Sequence, residues 1–396
     1  MSMAITNALH RDLFPILSNS TYLVSHSMGA APWRAKAALD TYFDEWAAEG
    51  PEAWEAWLPR IGEIADGIGA LIGAPPGSVF LAPNVSVLQA AIASCIGFGR
   101  DRNEVVYESL QFPSLTYVWK EWERYGALSR VIPSDDGRTI PTERILENIT
   151  ERAAIAVLSH AYYVSGAVAD IRAIQAHCHE FGTLLCVDAY QTTGVYPYDV
   201  TEWDLDVVTG GSHKWLCGGP GCGWIYIKPA LLEYFRPAVT GWFAHERPFG
   251  FEPAPIQHAA SMYRFATGTP TIPGYVVAKP GHDLIREVGV ARIREHNVRL
   301  TDKLASMALE RGLRVNTPLE PERRTGWIGI DFPPQRASHA GDPDSEGARI
   351  CRELIARRVF VDYRPGCGIR VSPHFYTTDA EIEEFFTTLD KIRASP

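Results

Sequence analysis

Short apolar runs alternate with helical patterns through the middle of the chain. Each run has the length and residue types of a buried strand and is bounded by polar or turn-forming residues. The predicted strands are Val79–Ala82, Glu104–Tyr107, Ala153–Ser159, Leu184–Val187, Val207–Thr209 and Gly223–Ile227. Alternation of this kind predicts an α/β fold in which helices cover both faces of a mostly parallel sheet.

The segment Asp170–Phe181 shows the clearest helical pattern between two of these strands. Its apolar residues follow at steps of three, four and three, which places them on one helix face: Ile171, Ile174, Cys178 and Phe181. Gly182 follows at once and is typical of a helix end. The sequence therefore predicts a helix that covers the sheet and stops at this glycine.

Beyond residue 246 the pattern changes. The segment Arg247–Pro273 is rich in proline, glycine and aromatic residues without periodicity, which favours a structured active-site or interface loop. It is followed by a predicted helix over about Gly281–Arg311, a strand pair around Gly326–Phe332 and Val359–Tyr363, and a last helix from Thr378. These elements predict a second, smaller α+β domain.

A length of 396 residues favours two or three domains. We expect an N-terminal segment over 1–50 that packs on the small domain, a large domain over 51–280 and the small C-terminal domain over 281–396.

Composition and charge exclude several classes of protein. Hydrophobic residues make up 46% of the chain and charged residues 21%, as in ordinary globular proteins. A net charge of −10 argues against nucleic acid as the main partner. The apolar stretches are too short to span a membrane, and the N-terminus lacks the apolar core of a secretion signal. Seven scattered cysteines do not form a disulfide framework, so we expect a cytoplasmic protein.

The pair Asp188 and Lys214 carries the candidate chemistry. Asp188 ends a buried strand, where α/β sheets build their sites, and Lys214 follows 26 residues later in GGSHKWLCGGPG. Pyridoxal 5′-phosphate (PLP) needs an amine for a Schiff base and an acid that keeps its pyridine nitrogen protonated. Asp188 and Lys214 fit these two roles. Taken alone, such a pair is more often a strand-end cap and a surface lysine, and the surrounding motifs reverse this balance.

Three other motifs strengthen the first interpretation. In APNVSVLQAAIASCIG, Val85 and Ser86 precede an apolar helix and offer backbone N–H groups and a hydroxyl to a phosphate, although Ser86 could be an ordinary N-cap. In ESLQFPS, Phe112 could stack on a flat ring or pack in a core. SHAYYVSG, with His160, adds hydroxyl and imidazole donors after the strand Ala153–Ser159.

Together these motifs resemble the class V aminotransferase group of fold-type I PLP enzymes, and within it the kynureninases. The resemblance runs from about Tyr22 to Tyr376 and rests on four stretches: TYLVSHSMGAAP, FDEWAAEGPEAW, SHKWLCGGPG, and GWFAHE followed by MYRFATGTP. The last pairing is the most discriminating. The resemblance implies the fold-type I architecture, in which a large domain with a mostly parallel seven-stranded sheet binds PLP beside a smaller α+β domain.

The resemblance also assigns roles to matching positions. Catalytic roles fall to Lys214, Asp188, His213 and Tyr163. The cofactor would be held by Val85, Ser86, Phe112, His160, Asp188, Gln191, Ser212, Lys214, Trp242 and Thr269, of which Trp242 and Thr269 would reach the site of a neighbouring subunit. The substrate would contact His26, Ser27, Trp242 and Arg370, with the Arg370 fork on its α-carboxylate. A homodimer with shared active sites is implied.

Four positions depart from the kynureninase pattern. His213 replaces a tyrosine, Gln191 a histidine, His26 an asparagine and Thr269 an asparagine. Because all four line the expected pocket, the identity of the substrate stays open.

The expected activity is hydrolytic Cβ–Cγ cleavage of a γ-keto amino acid, which gives alanine and a carboxylic acid. Transamination, epimerisation and β-elimination start from the same bound substrate and remain alternatives, as does a non-catalytic binding or sensor protein. A cysteine desulfurase is disfavoured because the loop RPGCGIR is short, and Cys367 is expected in the pocket wall. The pairs Cys217/Cys222 and His177/His179 lack a second pair at zinc spacing, so no metal is expected.

Overall fold

Helices and strands alternate along most of the chain in the computed structural model, which describes residues 10–253, 255–332 and 345–394. The strands are β1 (Thr21–Tyr22), β2 (Val79–Ala82), β3 (Glu104–Glu108), β4 (Leu128–Ile132), β5 (Ala153–Ser159), β6 (Leu184–Asp188), β7 (Val207–Gly211), β8 (Gly223–Ile227), β9 (Arg314–Val315), β10 (Ile328–Asp331), β11 (Val359–Phe360), β12 (Asp362–Arg364) and β13 (Gly368–Val371). The α-helices are α1 (Arg34–Glu49), α2 (Trp54–Leu71), α3 (Val85–Ala93), α4 (Pro113–Glu121), α5 (Thr142–Asn148), α6 (Ile171–Phe181), α7 (Ile272–Val288), α8 (Val290–Glu310), α9 (Glu346–Ala356) and α10 (Asp379–Ala394).

A seven-stranded sheet forms the centre of the larger part of the molecule. Its strand order is β2-β8-β7-β6-β5-β3-β4, and β8 alone in this sheet runs antiparallel to its neighbours. The predicted fold class, an α/β fold with a mostly parallel seven-stranded sheet, is confirmed. All six predicted strands are present, and β4 at the edge of the sheet is an additional one.

The inner strands are apolar on both faces because helices cover both. In β5, Ala156 and Leu158 belong to the core on one side of the sheet, whereas Ile155 and Val157 belong to the core on the other. This is the two-residue alternation of a strand with no solvent-facing side. Each buried aliphatic side chain of this size stabilises the fold by about 1.5–3 kcal/mol.

Helix α6 matches its prediction and shows how its ends are set. The Asp170 carboxylate oxygen Oδ1 accepts a hydrogen bond from the Ala173 N–H at 3.0 Å, so Asp170 is the N-cap. Gly182 ends the helix with a φ of 58°, a left-handed conformation that favours glycine. The apolar face of α6 lies against the sheet, in the same core as Leu185.

A second sheet, β12-β13-β10-β9, is antiparallel; helices α8 and α9 pack against it, and α10 shares its hydrophobic core. The predicted strand pair is only partly right. Val359–Phe360 pairs in parallel with Thr21–Tyr22 instead of with β10, and Asp362–Arg364 reaches β10 through β13. The error arose because strand β13 was not predicted. This strand lies between β10 and β12 and pairs with both.

The helix predicted over Gly281–Arg311 is two helices. Helix α7 ends at Val288, and Gly289 adopts a φ of 86°, which interrupts the helical path before α8 begins. The domain division stays a prediction, and its boundary after residue 280 falls inside α7. At the N-terminal side, β1 pairs with β11, whereas α1 packs against α7.

The predicted loop Arg247–Pro273 contains two short 3-10 turns, Pro248–Gly250 and Met262–Phe265, before α7 starts at Ile272. Residue 254 of this segment lies outside the described residues. Among the described helices, none has the length and apolar character needed to cross a bilayer.

Candidate active site

The carboxyl ends of β5 and β6 open onto a cavity of about 190 Å³. Ser159 ends β5, Asp188 ends β6, and the two residues are paired in register. Lys214 follows the end of β7 in the same sheet. The cavity is lined by Asn84, Val85, Ser86, Phe112, Ser114, Leu115, Ser159, Ala161, Tyr163, Asp188, Tyr190, Gln191, His213 and Lys214.

Lys214 presents its amine to this cavity between two aromatic rings. Its Nζ lies 4.8 Å from the centroid of the Tyr190 ring and 5.7 Å from that of Phe112. Desolvation by the surrounding protein lowers the pKa of Lys214 to about 8; the negative charge of Asp188 opposes this effect, and the charge of Arg370 adds to it. A substantial fraction of the amine is therefore neutral, and hence nucleophilic, near pH 8.

Asp188 is buried at the end of β6. Its Oδ1 accepts a hydrogen bond from the Tyr190 N–H at 3.0 Å. Burial raises the pKa of the Asp188 carboxyl, while the Tyr190 N–H and the charge of Lys214 oppose the rise. A cationic partner inside the cavity would therefore favour the ionised form of Asp188.

The N-terminus of α3 borders the other end of the cavity. Asn84 is the N-cap, since its Oδ1 accepts from the Val87 N–H at 3.1 Å; the reading of Ser86 as an ordinary N-cap is wrong. The first-turn N–H groups of Val85 and Ser86, together with the Ser86 hydroxyl, form the kind of helix N-terminus that binds phosphate. Gly223 permits this placement, because a Cβ there would lie 2.8 Å from the carbonyl carbon of Asn84.

Phe112 and Tyr163 form one wall of the cavity. Their rings meet edge to face with centroids 5.3 Å apart, and Phe112 is 42% exposed, unlike a core residue. Gln111 holds this wall in place, because its Oε1 accepts from the Phe112 N–H and from the Ser159 hydroxyl, both at 2.9 Å. Burial raises the pKa of Tyr163, which keeps its phenol protonated.

His213 and Gln191 complete the predicted residues that the structure brings to the cavity. The His213 ring centroid lies 5.3 Å from that of Tyr190. Burial, with a smaller contribution from the charge of Lys214, lowers the pKa of His213 to about 4, so its imidazole is neutral at pH 7. Gln191 donates from Nε2 to the His26 carbonyl at 3.2 Å.

Arg370 adjoins the cavity behind Tyr163. Its Nη1 donates to the Tyr163 carbonyl at 2.9 Å, and its Nε donates to Asp362 Oδ1 at 2.8 Å. His26 Nε2 lies 2.9 Å from the same Asp362 oxygen. His26 is therefore placed behind the Arg370–Asp362 pair. Neither Arg370 nor His26 is among the residues that line the cavity, and their contacts with substrate stay predictions.

Ser27 does not line the cavity either. Its backbone N–H donates to the Val24 carbonyl at 2.9 Å, in the turn that places His26.

The structure does not bring two of the predicted cofactor contacts, His160 and Ser212, to the cavity. His160 packs against the rings of Tyr196, Tyr198 and Trp203 on the opposite side of the sheet, because side chains alternate along the strand end and Ser159 and Ala161 take the cavity side. Ser212 is fully buried, and its hydroxyl lies 2.8 Å from His282 Nε2, away from the cavity.

Trp242 and Thr269 lie apart from Lys214 within one chain. Trp242 is part of an exposed aromatic cluster with Phe249 and Phe251, and Thr269 lines a separate cavity of about 40 Å³. Their predicted role in the site of a neighbouring subunit stays a prediction.

Cys367 is not a pocket-wall residue. It is fully buried in the hairpin between β12 and β13, and its thiol contacts the Val164 carbonyl. Within the described residues, no group of three or more potential metal ligands comes together.

The sequence reasoning missed Asn84, Gln111, Ser114, Tyr190 and Asp362. Tyr190 had a usable signal, because it follows Asp188 by two residues at the same sheet edge. Asp362 had none, since its partner His26 lies 336 positions away along the chain.

A comparison with family models places this cavity in context. The model described as aminotransferase class-V matches residues 37–385. The chain belongs to the class V aminotransferase family. Its cofactor is pyridoxal 5′-phosphate, and its substrates are amino acids.

Similar proteins come from two groups of this family. An uncharacterized aminotransferase, YcbU, of Bacillus subtilis (strain 168) is 32% identical over 97% of each chain. The kynureninase of Bacillus anthracis is 27% identical over 94% of this chain and 88% of its own, and that of Pseudomonas fluorescens is 26% identical over 96% and 91%.

Solved structures share the fold at low sequence identity. The apo cysteine desulfurase of Thermococcus onnurineus NA1 superposes with a TM-score of 0.82 at 18% identity, covering 96% of both chains. A C-DES variant with glycine covalently linked to its PLP cofactor gives a TM-score of 0.84 at 19% identity, covering 96% of this chain and 99% of that one. These likenesses confirm the fold-type I architecture.

Proposed function

We propose that this enzyme cleaves the Cβ–Cγ bond of a γ-keto amino acid by hydrolysis, giving alanine and a carboxylic acid. The observation that carries the proposal is that Lys214 and Asp188 line one cavity, with Arg370 behind its Tyr163 wall. The kynureninases among the relatives support this reaction over others of the family.

The residues around the cavity fit PLP by their chemistry. Lys214 would hold the cofactor aldehyde covalently, and Asp188 would hold the protonated pyridine nitrogen. Val85 and Ser86 would bind the phosphate at the helix N-terminus, and Phe112 would lie against the ring. When bound, PLP supplies an electron sink for the pair left behind when a bond at the substrate Cα breaks.

The protein groups would then divide the remaining work. The Arg370 fork binds the substrate α-carboxylate and orients Cα toward Lys214. The free Lys214 amine would remove the α-proton at Nζ, a step favoured by its pKa of about 8. An ionised Asp188 would stabilise the positive charge of the pyridine nitrogen.

His213 and Tyr163 are the candidates for the later proton transfers. Neutral His213 can accept a proton from the water that attacks the γ-carbonyl, and the protonated Tyr163 phenol can donate one to the carbon that becomes the alanine methyl. His26 is not suited to this work, because both of its ring nitrogens are engaged by Ser372 and Asp362.

The same geometry disfavours cysteine desulfuration. A desulfurase needs an exposed thiolate, whereas burial raises the pKa of Cys367 to about 11 and its thiol points at a backbone carbonyl.

We further propose a cytoplasmic homodimer in which Trp242 and Thr269 complete the neighbouring site. The exposed aromatic rings of Trp242, Phe249 and Phe251 support this assembly, since such clusters usually mark interaction surfaces. The proposed domains remain 1–50, 51–280 and 281–396.

The first test is to record the absorbance spectrum of the purified protein, reduce it with borohydride and map the modified peptide. We expect a visible or near-ultraviolet band that reduction fixes onto Lys214. A label on another lysine, or a protein that stays colourless after PLP is added, would contradict the proposed site and favour the binding-protein alternative.

The second test screens kynurenine, 3-hydroxykynurenine and aliphatic γ-keto amino acids for alanine release without a keto-acid acceptor. Alanine in equal amount to the carboxylic acid supports the proposal. Dependence on a keto-acid acceptor would instead indicate transamination, which the relative YcbU makes the main competitor. Pyruvate without alanine would indicate elimination, and inversion at Cα would indicate epimerisation.

A further inference from the structure

The Arg370 guanidinium is held on three sides by the protein. Its Nε and Nη2 both donate to the Asp362 carboxylate, and its Nη1 donates to the Tyr163 carbonyl at 2.9 Å. The ring of Trp327 covers one face, 5.5 Å from the guanidinium carbon. Arg370 itself is 4% exposed, so this arrangement is enclosed by protein.

The hydrogen-bond donors of Arg370 that the protein does not use determine from which side a ligand can bind to the guanidinium. A guanidinium has five N–H donors in a fixed plane, and three of them are used by Asp362 and Tyr163. The two that are left are one on Nη1 and one on Nη2, and the edge between these two nitrogens is the terminal fork of the group. Asp362 fills the side-on approach at Nε and Nη2 and leaves this terminal edge for a carboxylate that approaches end-on.

Asp362 is fixed in turn by His26. An ionised carboxylate can only accept, so Nε2, which lies 2.9 Å from Asp362 Oδ1, carries the imidazole proton and donates it. Nδ1 of the neutral ring then accepts from the Ser372 hydroxyl, 2.8 Å away, and this hydroxyl accepts from the His26 backbone N–H at 3.1 Å. The His26 carbonyl accepts from Gln191, a residue of the cavity wall.

The charge state agrees with this geometry. Burial by itself raises the pKa of the Asp362 carboxyl, but His26 and Arg370 together hold it well below its usual range. Burial, followed by the charge of Arg370, lowers the pKa of His26 to about 4. Asp362 is therefore ionised and His26 neutral at pH 7, and the group carries one negative and one positive charge.

We infer that Asp362, supported by His26, is a positioning residue that leaves the terminal fork of Arg370 as the carboxylate site and thereby sets the angle at which an amino acid reaches Lys214. The inference rests on the proposed binding of the α-carboxylate by Arg370. It adds that recognition depends on the orientation of the guanidinium and not on its charge alone. A second carboxylate on the substrate finds no free donor pair on Arg370.

The test is a spectral titration of the holoenzyme with L-alanine and with L-alaninol, in which a hydroxymethyl group replaces the carboxylate. In Asp362→Asn we expect L-alanine to bind about 10- to 100-fold more weakly, the loss typical of hydrogen bonds to a charged group. Binding of L-alaninol should change far less. Equal losses for both ligands, or none for L-alanine, would overturn the inference.

Two further variants keep the outcome clear. Asp362→Glu keeps the charge but moves the carboxylate, so it should fold and still weaken L-alanine selectively; unchanged binding of L-alanine would count against the inference. Arg370→Lys separates the two proposals. If it leaves L-alanine binding unchanged, the α-carboxylate site itself is wrong; if it weakens binding while both Asp362 variants do not, the positioning role alone fails.

Discussion

Two charged groups, one in the lining of the cavity and one behind its Tyr163 wall, are built in opposite ways. The first, Asp188 and Lys214, lies at the sheet edge, and neither side chain forms an ion pair within the described part of the chain. The second, Asp362 and Arg370 with His26, lies on the β12–β13 hairpin and is closely hydrogen-bonded. The pKa shifts follow this difference: that of Lys214 is lowered to about 8 and that of Asp188 is raised, whereas that of Asp362 is lowered.

The difference reflects what each group does. Buried charges without a partner lower the stability of the folded apoprotein. A cofactor that pairs with these charges restores that stability when it binds. Charges that are paired before a ligand arrives hold a fixed geometry and need no rearrangement when it does. We therefore regard the sheet edge as a receiving site and the hairpin as a preformed clamp.

The largest effect should come from the receiving site. Lys214→Ala should reduce turnover by on the order of 10³-fold or more, because it removes both the covalent anchor and the base. Steady-state kinetics measures this, with Lys36→Ala in the exposed face of α1 as the matched control. Near-normal turnover in Lys214→Ala would show that Lys214 is not the catalytic lysine and that the receiving site has been misassigned.

The two groups should also differ in the stability of the apoprotein. Asp362→Ala leaves Arg370 buried without its partner and should lower the free energy of unfolding by about 3–5 kcal/mol. Asp188→Asn removes an enclosed, unpaired carboxylate and should be nearly neutral or stabilising. Urea denaturation of both apoproteins measures the difference, and equal losses would remove the distinction between receiving site and clamp.

Each group contains one histidine whose pKa is lowered to about 4, His213 at the sheet edge and His26 in the clamp. The unfolded chain takes up these protons near pH 6.5, whereas the folded chain does so near pH 4, so stability is lost as pH falls through this range. Each histidine contributes a slope of up to about 1.4 kcal/mol per pH unit.

Replacing either histidine by asparagine removes one proton-binding group, so it should lower the slope of stability against pH by up to about 1.4 kcal/mol per pH unit. Apoprotein stability measured between pH 7 and pH 4 tests it. An unchanged slope in both variants would mean that neither imidazole is buried in its neutral form.

The smallest effect is expected at Cys367, which lies on the clamp hairpin between Asp362 and Arg370. Cys367→Ala should leave turnover within about two-fold of the unchanged enzyme, because the thiol has no access to the cavity and its loss costs little binding energy. A large fall in turnover without a matching loss of folding stability would indicate that the Cys367 thiol takes part in catalysis, as it would in a cysteine desulfurase.

The receiving site could be predicted from the sequence, whereas the clamp could not. Asp188 and Lys214 lie in short motifs, and the strands around them are apolar on both faces, so the local pattern carries the information. Arg370 was predicted from its motif, but its partner Asp362 and the supporting His26 meet only through the tertiary fold. No local period links residues that are 336 positions apart.

The errors have equally local causes. His160 was assigned to the cofactor from its motif, although strand alternation turns it away from Ser159. Strand β4 was missed because LSRVI, an edge strand with exposed residues, lacks the apolar run of the inner strands. The split between α7 and α8 depends on the backbone of a single residue, Gly289.

The parallel pairing of β1 with β11 joins the beginning of the chain to its last quarter. A ribosome that adds about 5–20 residues per second needs roughly 20–70 s to travel from His26 to Asp362. Lys214 and the whole seven-stranded sheet, which ends at Ile227, are synthesised within that interval, so they exist for its last part while the clamp cannot yet form. A nascent or prematurely terminated chain therefore carries the reactive half of the site without the half that selects its substrate.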